Sequence, residues 1–75
     1  MTEIAPGISA DSKVRFGKPA IRGTRVPVDT VVARVAAGVE IKKVAEEYAI
    51  TEADVYNALH YAALRLAEEQ VWVTA

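Results

Sequence analysis

Residue 28 divides the chain. All three prolines and three of the four glycines precede it, and no proline interrupts the residues after it. Proline removes a backbone donor and fixes φ, so helices form where it is missing and strands and turns gather where it recurs. Residues 1–27 therefore read as strands and turns, and residues 28–70 as helices. With 75 residues in all, the chain makes one domain. A domain of this size hides only about 60 % of the surface its unfolded chain exposes, so a partner or second copy is expected to share in its stability.

In the first part, Ile4 and Ile8 flank the turn signal Ala5-Pro6-Gly7. Val14 and Phe16 alternate with Arg15 as in a short strand, and Gly17-Lys18-Pro19 reads as a turn. Ala20-Ile21 and Val26 then enclose Arg22-Gly23-Thr24-Arg25, the pattern of a small hairpin or bent ribbon. Pro27 confines its second strand to an edge. A two-stranded ribbon is barely stable in water, so this arm must pack on the helices.

From Val28 the apolar positions step by three and four. Val28, Val31, Val32, Val35 and Ala36 line one face of a first helix that Gly38 ends. A second helix, from about Glu40 to Tyr48, turns Ile41, Val44, Ala45 and Tyr48 inward. The third is the best marked. Thr51-Glu52-Ala53-Asp54 resembles a capping box, and residues 52–70 contain no breaker. Val55, Leu59, Ala62 and Leu66 form its apolar stripe. A helix of about 19 residues spans about 28 Å, so its far half should outrun the core. Val71-Trp72-Val73 comes next as an apolar tail, either a contact surface or a segment folded back on the core.

The second and third helices carry helix-turn-helix spacing. Counted from Ile41 as position one, the apolar or small positions four, five, eight, ten, fifteen and eighteen are Val44, Ala45, Tyr48, Ile50, Val55 and Ala58. Position nine, usually a left-handed glycine, is Ala49. In this motif the N-terminal end of the second helix reads the major groove. Tyr56, Asn57 and His60 are its candidate base-facing residues, with Lys42 and Lys43 from the preceding helix and Arg22 and Arg25 from the arm as phosphate contacts. Glu52 and Asp54 oppose that role, since phosphate neutralisation supplies most non-specific affinity.

Charge follows the same division. Residues 1–27 hold five basic residues against two acidic, a net of +3, and residues 28–75 hold four against eight, a net of −4. A basic arm on an acidic body is compatible with nucleic-acid contact and equally with an ordinary mixed-sign surface. The chain has no cysteine, which removes disulfides and thiolate chemistry and favours a reducing interior. Its start, with Glu3, Pro6 and Gly7, does not read as a signal peptide, and Arg34 interrupts the longest apolar stretch, Val31 to Val39. A soluble cytoplasmic protein is expected. His60 has no second metal ligand at useful spacing, and no nucleophile or phosphate-loop motif is present. Neither an enzyme nor a cofactor is expected.

The run Phe16-Gly17-Lys18-Pro19-Ala20-Ile21-Arg22-Gly23-Thr24-Arg25-Val26-Pro27-Val28 resembles the signature of a family of small bacterial and archaeal proteins. That family was long catalogued as a domain of unknown function and is usually described as VapB-like antitoxins with a homeodomain-like fold. The likeness continues through Gly38, Ile41, Val44, Ala45, Tyr48, Thr51, Asp54, Val55, Ala58, Leu59, Tyr61 and Ala62. It implies a type II toxin–antitoxin role: neutralising a PIN-like ribonuclease toxin by direct binding and repressing an operon through operator DNA.

The reading is thus mainly α: a three-helix, homeodomain-like bundle with a short N-terminal β arm. A homodimer is expected from the small core and overlong third helix. Leu66, Glu69, Val71, Trp72 and Val73 are the candidate partner-binding residues. The alternatives are a protein-interaction module that does not bind DNA, and a stand-alone DNA-binding regulator.

Overall fold

A computed structural model describes residues 2–13 and 17–71. It contains β1 (Thr2–Ala5), β2 (Ile8–Ala10), β3 (Ala20–Ile21), α1 (Val28–Ala36), α2 (Ile41–Tyr48) and α3 (Glu52–Glu68). The three strands form one antiparallel sheet in the order β1-β2-β3. The protein is mainly α, with that small sheet at its N-terminal end.

The expected turn at Pro6-Gly7 closes the β1–β2 hairpin, and Gly7 supplies the positive φ of +75° that it needs. The Ala20–Val26 ribbon also forms. Ile21 N–H donates to Val26 O at 2.9 Å, and an isolated bridge joins Ala20 to Pro27. Within its bend the Thr24 hydroxyl donates to Ile21 O at 2.8 Å and accepts from Val26 N–H at 3.0 Å, the local backbone bonding that favours threonine in turns. The ribbon does not stand apart from the hairpin: Ile8 pairs with Ile21 and Ser9 with Ala20, which joins the two into one sheet. The strand expected around Val14 and Phe16 lies outside the described residues.

The helix ends follow local chemistry. Pro27 enters α1 as its N-cap, and α1 closes through Gly38, whose N–H reaches Val35 O at 2.9 Å. α2 begins one residue later than the sequence indicates and ends at Ala49, which is left-handed at φ 54°, ψ 42°. Thr51 and Asp54 complete the capping box of α3: Asp54 N–H donates to the Thr51 hydroxyl at 3.0 Å, and Thr51 N–H to the Asp54 carboxylate at 2.9 Å. α3 runs 17 residues and stops at Glu68, short of the expected Gln70, where Glu69 turns extended.

The core lies where the sheet and three helices meet. Ile8, Ile21, Val28, Val31, Val44, Ala45, Val55 and Ala58 are buried in it. Of the positions counted from Ile41, Val44, Ala45, Val55 and Ala58 lie inside this core, with Ile41, Tyr48 and Ile50 packed against it. Arg34 of α1 and Glu47 of α2 tie their helices together through an ion pair at 2.9 Å. The stripe expected on α3 is buried only in its first half. Leu59 and Ala62 are half-buried and Leu66 is 66 % exposed.

Candidate functional site

Two surfaces carry the candidate residues. The first is the outer side of the α2–α3 pair. Lys42 and Lys43 stand exposed on the first turn of α2, and Tyr56 and His60 are exposed on α3. Asn57 is not free in the same way. It is half-buried, and the β1–β2 turn lies over it so closely that a Cβ at Gly7 would overlap its amide Nδ2 and stand 3.0 Å from its Cγ. Of the two acidic residues at the start of α3, Glu52 is exposed, while the Asp54 carboxylate is engaged in the capping box.

The two arm arginines also differ. Arg25 is exposed and makes no ion pair among the described residues. Arg22 pairs with Glu3 at 3.2 Å. The other Glu3 oxygen accepts from Gly7 N–H at 3.1 Å, and Arg22 N–H donates to Gly7 O at 2.8 Å. The bond from Gly7, and then the one from Arg22, hold the Glu3 carboxyl below its ordinary pKa. The Arg22 side chain is thus paired with Glu3 in an exposed contact, while its backbone joins the turn after β3 to the β1–β2 turn.

The second surface lies at the other end of α3. Beside the core, α1 and α3 line an apolar groove of about 490 Å³. Val28 and Val32 form its floor on α1, and Tyr61, Ala62 and Leu66 its wall on α3. Lys18, Asp29 and Arg65 stand along it. Lys18 is 3.8 Å from Asp29, and Arg65 pairs with Glu68 at 3.1 Å. Beyond the groove Glu69 is exposed and Val71 is 74 % exposed. Trp72 and Val73 lie outside the described residues.

Leu66, Glu69 and Val71 thus stand together on the projecting end, whereas the candidate DNA contacts divide into free cations on one side and residues held by the hairpin on the other. The groove itself has a sequence signal that local reading passes over: a stripe through Ala62 and Leu66 with no helix of matching length to cover it. Among the described residues no group of three or more acidic, histidine or cysteine side chains could hold a metal, and no helix is long and apolar enough to cross a membrane.

The sequence matches the family model described as Protein of unknown function (DUF433) over residues 8–62. The chain belongs to the DUF433 family. The matched span runs from the buried Ile8 of β2 to Ala62 in the groove wall, so it takes in the whole core of this DUF433 protein and ends where α3 leaves it. No curated protein and no solved structure matches the chain.

Proposed function

We propose that this DUF433 protein is the antitoxin of a type II toxin–antitoxin pair, built on a homeodomain-like helix-turn-helix, that neutralises a PIN-like ribonuclease by direct contact. The observation that carries the reading is the projecting end of α3. A small protein that leaves Leu66 and Val71 well exposed beyond its core presents apolar surface for another protein. The Val71–Val73 segment, with Leu66 and Glu69 at its base, is the contact by which the nuclease site is occluded. The signature from Phe16 to Val28 ties this reading to VapB-like antitoxins. No chemistry of its own is assigned to the chain, and its work is binding.

Repression of its operon is the second half of the proposal. Arg25, Lys42 and Lys43 support it as exposed cations, with Tyr56 and His60 on the adjoining face of α3. A reading without DNA binding draws on two other observations: Asn57 is covered by the hairpin turn, and Arg22 is held by Glu3.

The test is co-purification of the tagged full chain from its native host. A stoichiometric small ribonuclease, lost on Val71→Asp and retained on Glu52→Gln, is expected. Recovery of the chain with no nuclease would overturn the antitoxin reading.

A further inference from the structure

The groove between α1 and α3 is apolar and uncovered, and the side chains around it specify its occupant. Ala62, Arg65, Leu66 and Glu69 have the spacing i, i+3, i+4, i+7, so they share one stripe, with Glu69 as the cap residue that ends the helix. The same stripe, further back, carries the buried Val55 and Ala58. It is the core-facing side of α3 continued past the point where its own chain can cover it. Along it the order is small, basic, apolar, acidic.

That order is self-complementary in one orientation. Two α3 ends packed antiparallel about a two-fold axis bring Arg65 of each copy opposite Glu69 of the other and place Leu66 near the axis. A parallel pair would set like charges against each other. An isologous contact requires this reciprocity: if residue i of one copy meets residue j of the other, j of the first meets i of the second. Lys18 and Asp29, 3.8 Å apart at the groove, add one charge of each sign to its rim.

We infer that the α1–α3 groove is the dimerisation site of this protein, occupied by the α3 end of a second copy in an antiparallel pair held by reciprocal Arg65–Glu69 contacts around Leu66. In that pair Leu66 leaves water against the Val28 and Val32 floor of the other copy. Leu66 and Glu69, which the proposed function places at the base of the nuclease contact, are in this pair covered by the second copy, so the nuclease contact then falls to Val71, which is 74 % exposed. The inference does not rest on the antitoxin reading, which fails if no nuclease is bound, whereas this one fails if the chain does not self-associate through this stripe.

Sedimentation equilibrium of the full chain, and of Arg65→Glu and Glu69→Arg, tests it. Both positions are exposed, but Arg65→Glu also loses the Arg65–Glu68 pair within α3, so circular dichroism is read beside each association constant to separate a frayed helix end from a broken interface. The unchanged chain should be a dimer at micromolar concentration, and each single variant should associate roughly tenfold more weakly, because each sets like charges across the axis twice. Mixing the two variants should restore association, since in the mixed pair both contacts are again between opposite charges. No effect within one helix could produce that rescue. Leu66→Ala should weaken the dimer with its helix content unchanged. A monomer at high micromolar concentration would overturn the inference. So would a dimer indifferent to both charge reversals, or a mixture that associates no better than its components.

Discussion

Asn57 of α3 lies directly under Gly7 of the β1–β2 turn, fifty residues earlier in the chain, and the contact leaves no room for a side chain at Gly7. Gly7 also sits at φ +75°, where an L side chain is strained. Gly7→Ala therefore carries two penalties, one from the backbone and one from overlap with the Asn57 amide. A loss of about 2–3 kcal/mol is expected. Urea denaturation measures it. Adding Asn57→Ala to Gly7→Ala should recover the overlap part alone, and a double variant no more stable than Gly7→Ala would mean that the amide is not what the new methyl meets.

Ala49 closes α2 in the left-handed region without the glycine that suits this position. The backbone bonds that end the helix, Ile50 N–H to Ala45 O at 3.0 Å among them, hold it there. Ala49→Gly should stabilise the protein by about 1 kcal/mol, which for a domain of this size raises Tm by about 4–8 °C. Calorimetry reads it directly, and an unchanged or lower Tm would contradict the strain.

These two sites also mark how far sequence reasoning reaches. The spacing from Ile41 to Ala58 puts Ala49 at the left-handed position, and Thr51 with Asp54 announces the start of α3, because turn and capping chemistry is local. The Gly7–Asn57 contact has no local signature. Neither has the capture of Arg22 by Glu3 across 19 residues of chain, which removes from the free cations a residue that reads as a phosphate contact. The end of α3 is legible only roughly, since Glu68-Glu69-Gln70 contains no stop signal. The groove depends on the relative lengths of α1 and α3 and on the angle between them, and periodicity encodes only the lengths.

Glu3 links hairpin stability to pH. Its carboxyl is held below the ordinary value by the bond from Gly7 N–H and then by Arg22, so the folded state favours the charged form. A lowered folded-state pKa contributes stability above the unfolded value, and that contribution is lost as pH falls through the folded value. The window thus begins at about pH 4 and extends downward. Glu3→Gln should show a flatter acid limb than the parent chain, with the two urea midpoints converging toward low pH. Parallel curves from pH 6 to pH 3 would assign the acid sensitivity to other groups.

Operator binding, the repressor half of the proposal, has its own signature in salt. Each phosphate contact contributes a slope of about −0.9 to the plot of log affinity against log salt. Arg25, Lys42 and Lys43 are exposed and make no ion pair among the described residues, so alanine at each should reduce the slope by about 1. Arg22→Ala should change it less, because reaching a phosphate means leaving Glu3. Glu3→Gln tests that competition from the other side. With no carboxylate to hold Arg22, affinity at low salt should rise, and the rise should vanish in the Arg22→Ala background. Fluorescence anisotropy with the chain's own upstream DNA, titrated across potassium chloride concentrations, gives every slope in one series. No binding at low salt, with or without the co-purifying partner, would end the repressor reading. If Arg22→Ala costs as much slope as Lys42→Ala, the exposed Glu3–Arg22 pair opens on DNA.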